Sequence, residues 1–146
     1  FGVAAELAAR ELFGEAQRLA RLRDRLFEAL ADVSVLQPTG HRVHRLPHHV
    51  SFCLDLDDGG SAADAITGKT LVRQLNLAGI AISSGSACHS GKLAPSPVLL
   101  AMGYSDRQAR GGIRLTLGRD TTNADIDWTA MVLKQVLARS RSMAEV

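Results

Sequence analysis

Cysteine is scarce: the 146 residues hold two, Cys53 and Cys88. Two thiols make no disulfide framework, so a reducing, cytoplasmic compartment is the natural expectation. Long apolar runs are missing as well. None approaches the roughly 20 residues that a membrane-spanning helix needs. The opening Phe1-Gly2-Val3-Ala4-Ala5-Glu6 has no basic region of the kind that starts a secretory signal. It also lacks a starting Met, which suggests a fragment or mature form. Charge of one sign is absent: 17 Lys and Arg against 15 Asp and Glu leave +2, too little to point to nucleic acid. Lysine itself is restricted to Lys69, Lys92 and Lys134.

What is there is ordinary for one globular domain: 46% apolar and 22% charged residues, in a chain long enough to bury a core. Leu12, Leu19, Leu22, Leu26, Phe27 and Leu30 recur at helical spacing and predict one long helix over about 4–31, the alternative being two with a join near Gly14. Its five arginines are interleaved with five acids, which reads as a solvated face with mixed ion pairs rather than a nucleic-acid-binding helix. Val33-Ser34-Val35-Leu36 predicts a strand closed by turn residues 37–40. His49 to Leu54 alternates as a second strand, with Cys53 as a small core residue. Helical periodicity resumes over 62–77, on Ile66, Leu71, Val72 and Leu75. Ala78-Gly79-Ile80-Ala81-Ile82 reads as a short buried strand. Residues 95–103 predict a short helix, 105–110 a helical turn ended by Gly111-Gly112, and 113–117 a strand. Thr122 and Asp125 resemble a capping box ahead of a final helix whose stripe is Ile126, Leu133, Val136 and Leu137. Its end, Arg139 to Ser142, predicts a basic C-terminal turn and a frayed tail.

Three stretches bear on chemistry. His41, His44, His48 and His49 have no cysteine or carboxylate at ligand spacing, and Pro47 interrupts any helical face, so no metal site is expected. Ala63 to Thr70 is similar to a phosphate-binding loop but carries Ala63 in place of its first glycine and follows no strand, which removes the backbone cradle. Ser83-Ser84-Gly85-Ser86-Ala87-Cys88-His89-Ser90-Gly91 puts a cysteine on a loop of small residues, where its sulfur is available for reaction. Arg114 points away from the Ile113/Leu115/Leu117 face of its strand. A planar guanidinium held on a strand suits a bidentate carboxylate contact, although on the strand pattern alone an ordinary surface arginine is the favoured reading.

Ser83 to Cys88, the following Pro95 to Gly103 and the downstream Ile113 to Thr122 together resemble the active-site cysteine region of cysteine desulfurases, pyridoxal-phosphate enzymes of the class-V aminotransferase group. The likeness covers most of the chain and is closest to the long-loop type that serves iron–sulfur cluster assembly. It implies that Cys88 is the nucleophile that takes sulfur from L-cysteine as a persulfide, giving L-alanine, and that Arg114 grips the substrate carboxylate. His89 and Lys92 differ from the commonest loop and receive no role. The family's cofactor lysine follows a Ser-x-His pattern, and no Ser-x-His-Lys occurs here. The resemblance therefore implies a single C-terminal small domain over 1–146, with about 1–31 as a connecting helix and the large cofactor-binding domain absent. Alone, such a chain is expected to bind no pyridoxal phosphate and to be inactive. The full-length enzyme would be a homodimer that uses pyridoxal phosphate and passes sulfur to an acceptor such as an iron–sulfur scaffold, with no nucleic acid or membrane involved. A stand-alone sulfur carrier or interaction module using Cys88 is the alternative. The expected fold is α+β: a small, mainly antiparallel sheet with strands near 33–36, 49–54, 79–83 and 113–117, and helices over one face.

Overall fold

A computed structural model describes residues 1–55, 67–84 and 94–144, the last five by backbone alone. The acidic loop after Asp55, Ile66, Cys88, His89 and Lys92 lie outside the described residues. The fold is α+β, as expected. Helix α1 spans Gly2–Ala29, and two strands follow, β1 (Leu36–Pro38) and β2 (His49–Leu54). Helix α2 (Gly68–Leu77) leads to β3 (Ser83–Ser84). Two short helices, α3 (Pro97–Ala101) and α4 (Asp106–Arg110), precede β4 (Ile113–Thr116), and α5 (Asn123–Ala144) closes the fold. The strands form one antiparallel sheet in the order β1-β2-β4-β3.

Alternation along the central strands creates two faces. Val50, Phe52 and Leu54 of β2 share one face with Ile113 and Leu115 of β4, by the pairs Val50–Leu115 and Phe52–Ile113. This face packs on α1, α2 and α5 through Leu19, Leu22, Leu26, Leu71, Leu75, Ile126 and Leu133. The Phe27 and Phe52 rings meet edge to face at 5.2 Å. Each such buried side chain contributes about 1.5–3 kcal/mol.

The expected cover of helices on one face is therefore incomplete. The short helices α3 and α4 sit against the outer face, where α4 packs on β2 and Gln108 donates to Asp55 at 3.0 Å. Cys53 is fully buried there, on the face away from the main core.

Helix α1 runs through Gly14 without a join, as expected, although Leu12 is exposed. Other boundaries differ from expectation. Strand β1 starts at Leu36 because residues 33–36 form the exit turn from α1, with Val33 N–H on Leu30 O and Leu36 N–H on Val33 O. Pro38 is tolerated in β1 because β1 is an edge strand. The strand predicted over 79–83 is displaced to Ser83–Ser84. Gly79, at φ +80°, ends α2: its N–H reaches Asn76 O at 3.0 Å and the Ile80 N–H reaches Leu75 O at 2.9 Å, the bonding of a Schellman motif.

The cap at Thr122 fulfils its sequence signal, and Ser105 caps α4 in the same manner. Ser105 and Gln108 exchange bonds, as do Thr122 and Asp125. Arg18 clasps the turn between β4 and α5, donating to the carbonyls of Gly118, Arg119 and Thr121 at 2.7–3.0 Å.

Two glycines give opposite expectations. A Cβ on Gly14 meets nothing within 4 Å, whereas one on Gly68 strikes the Gly112 carbonyl oxygen. Gly14→Ala should stabilise the fold by about 0.5–1 kcal/mol, and Gly68→Ala should destabilise it by about 1–3 kcal/mol. Urea midpoints of the two variants check both signs.

Candidate functional site

The core demands Ile113 and Leu115, so the alternation of β4 sends Arg114 and Thr116 to the outer face. Arg114 stands opposite Ser51 on β2 and Ser83 on β3. This makes a Ser–Arg–Ser row across three strands. Thr39 extends the row: its N–H bonds to Ser51 O at 3.0 Å, and the two hydroxyls lie 2.6 Å apart.

A groove of about 390 Å³ lies over this row. Its floor includes His49, Ser51, Ser84 and Arg114. The turn carrying His41, His44 and Arg45 forms one wall, and Val98, Leu99 and Met102 of α3 form another. Among the described residues, every ionisable residue lining it is basic, and none is Asp or Glu. Arg114 is exposed, and among the described residues no carboxylate forms an ion pair with it.

The other basic groups are more constrained. Arg45 donates Nε to His41 O at 2.9 Å and Nη2 to Thr39 O, with its guanidinium 4.8 Å over the Phe27 ring. Burial, then the charge of Arg23, lowers its pKa, and its bonds hold the 41–45 turn. His41 Nδ1 accepts the backbone N–H groups of Val43 and His44 at 3.1 and 3.0 Å, and the two imidazoles lie 4.6 Å apart. Burial pushes His49 below its usual value, and Arg45, Arg114 and His48 add to that. Among the described residues, no cluster of three His, Cys, Asp or Glu side chains is arranged to hold a metal. Among the same residues, no helix is long and apolar enough to cross a membrane.

Cys88 lies outside the described residues. The described chain leaves the groove at Ser84 and returns to it at Ser96, both of which line it. Cys53 is the contrasting thiol. Burial, followed by the charge of Asp55, pushes it from 9.0 up to about 11. Native Cys53 should therefore resist alkylation that proceeds readily in urea. Its folded pKa is raised, so its neutral-thiol stabilisation is complete below pH 9.0 and declines as pH rises toward about 11. A steepening loss of stability across that window, absent in Cys53→Ala, is the expected measurement.

The segment similar to a phosphate-binding loop has another explanation where it is described. Thr67 caps α2 by accepting the Thr70 N–H at 3.2 Å, and Gly68 packs on the Gly112 carbonyl. That end of α2 meets protein backbone. Sequence reading missed His49, Ser51 and Ser84 as groove residues. The signal for the first two was present in the period of β2, which sends 49 and 51 opposite to Val50 and Phe52.

Among the described residues, no lysine lines the groove. Lys134 pairs with Asp32 at 2.7 Å, and Lys69 lies in the first turn of α2; neither lines the groove.

The four-stranded antiparallel sheet in the order β1-β2-β4-β3, flanked by helices, is the small-domain fold also found in NifS-like proteins. A solved NifS-like protein superposes with a TM-score of 0.72 at 26% identity, covering 91% of this chain and 31% of that one. A NifS-like protein from Rickettsia africae gives a TM-score of 0.77 at 20% identity, over 94% and 33% of the two chains. In sequence, the chain is 41% identical over 144 residues to cysteine desulfurase IscS 1 of Archaeoglobus fulgidus, which covers 99% of this chain and 35% of the relative. Over nearly all of its length the chain matches cysteine desulfurases, and it spans about a third of the length of the relatives it matches. No family model matches it.

Proposed function

We propose that residues 1–146 are the C-terminal small domain of a cysteine desulfurase, with about 1–31 as the helix that connects to a larger, cofactor-holding part. Cys88 is the nucleophile and Arg114 binds the carboxylate of L-cysteine. The observation that carries this reading is the pairing of Ser83 with Arg114. The strand that leads into the cysteine loop is bonded to the strand that bears the arginine. Cys88 is five residues beyond Ser83, a span of at most about 18 Å, which in this reading is the reach the loop has for serving a substrate held on Arg114.

The chemistry follows from these two groups. Arg114 fixes the carboxylate end of cysteine in a groove with no competing acid among the described residues. The Cys88 thiolate attacks the substrate sulfur; an S–S bond forms, the substrate C–S bond breaks, and the carbon takes up a proton. Cysteine and a thiol become alanine and a persulfide, and the books balance with no external oxidant. In the full-length enzyme pyridoxal phosphate supplies the electron sink, and its lysine lies outside this chain. The persulfide then passes to an acceptor protein such as an iron–sulfur scaffold. The full-length protein is a cytoplasmic homodimer in this reading.

The isolated chain should take up no pyridoxal phosphate and release no alanine from cysteine, while the full-length protein does both. A borohydride-reducible cofactor adduct on Lys69, Lys92 or Lys134 of the isolated chain would overturn the division of labour.

A further inference from the structure

His49 pairs with Thr116 one rung along from the Ser51–Arg114 pair. Both alternate to the outer face, so His49 and Arg114 are diagonal neighbours, with Cβ atoms about 7–8 Å apart or less. The half-buried imidazole lines the same groove. Among the described residues, the charged and titratable groups around it are all basic: Arg114 from β4, Arg45, His41 and His44 from the preceding turn, and His48 beside it. The α3 wall contributes Val98, Leu99 and Met102 and no charge. Burial first, then Arg45, Arg114 and His48, disfavour a second positive charge there. A carboxylate seated on Arg114 changes that balance. Its negative charge offsets the guanidinium and offers an acceptor to an imidazolium N–H.

We propose that His49 is a second substrate-positioning residue of this groove, which takes up a proton as a carboxylate seats on Arg114 and so tightens binding toward acid pH. The inference rests on the reading of Arg114 as the carboxylate site. Linkage makes the two effects reciprocal. A bound anion raises the His49 pKa, so affinity increases as pH falls through the interval between the free and ligand-bound values.

L-alanine is a suitable probe, because it carries the carboxylate, has no sulfur to transfer, and its own groups do not titrate near pH 6 to 7. Its binding to the full-length protein freed of cofactor is measured by calorimetry at about pH 6.5, in two buffers of different protonation enthalpy. The expected result is net uptake of a fraction of a proton by the wild type, no uptake by His49→Gln, and loss of binding in Arg114→Ala. Affinity of His49→Gln should be flat with pH where that of the wild type rises severalfold toward acid. Zero uptake by the wild type, or unchanged uptake by His49→Gln, overturns the role of His49 and leaves Arg114 in place. No binding by the wild type, or binding that survives Arg114→Ala, overturns the carboxylate reading itself. Should His49→Gln not fold, the His49 ring resonance of the wild type decides: a pKa raised by L-alanine supports the proposal, and an unmoved one overturns it.

Discussion

Cys88→Ala in the full-length protein is expected to abolish formation of alanine and sulfide from cysteine, by ~10³-fold or more as for loss of other covalent nucleophiles, while cofactor binding and the folded state persist. Cys88 is flanked by Ser86, Ala87 and His89 and bounded by Gly85 and Gly91. A glycine-bounded stretch of small side chains suits a thiol that collects sulfur in one place and delivers it in another. The second cysteine does not replace it. Cys53 is buried, and its pKa of about 11 leaves it almost wholly protonated near neutral pH. Cys53→Ala should therefore keep turnover near that of the wild type, apart from a stability loss. Turnover retained by Cys88→Ala would remove the nucleophile from the proposal.

Arg114→Ala is expected to raise the KM for cysteine about 30- to 150-fold, the effect of losing charge-assisted hydrogen bonds to a carboxylate. A parallel loss in kcat would show that the contact also sets the angle of attack. Arg114→Lys should recover only part of the affinity, since an ammonium restores the charge but not the planar two-point contact. The outer-face position makes a folding artefact small: Arg114 is exposed, and its neighbours Ile113 and Leu115 carry the packing. An unchanged KM in Arg114→Ala would count against the carboxylate role, and circular dichroism of the same sample separates a chemical loss from an unfolded one.

Much of the fold was legible in the residues because local and long-range preferences agree there. His49 to Leu54 alternates in sequence and forms β2 over those same residues, since its inner face is filled by Val50, Phe52 and Leu54. Arg114 was read on the right face for the same reason. The capping signal at Thr122 is satisfied by Asp125 within four residues and needs no tertiary partner. The failures occur where one residue type serves two purposes. Ile80 and Ile82 resemble a buried strand, but Gly79 in the left-handed region is needed to end α2, and the ladder begins only at Ser83. Val33 and Val35 favour a strand, yet the chain must first turn away from α1. The outer-face packing of α3 and α4 was not legible, since their few apolar positions do not say which face they cover. In the groove, Arg114 stood out by its strand; the Cys88 loop, outside the described residues, stood out by its sequence alone. His49 was grouped with three other histidines, and only the β2–β4 register separates it from them.

The most direct test of the central proposal is the location of sulfur after the enzyme meets its substrate. The full-length protein is supplied with L-cysteine in the absence of acceptor and reductant, trapped with an alkylating reagent, digested, and read by mass spectrometry. One additional sulfur on the peptide bearing Cys88, formed together with an equivalent of alanine, is the expected result. Additional sulfur on Cys53, or alanine formed with neither cysteine modified, would contradict it.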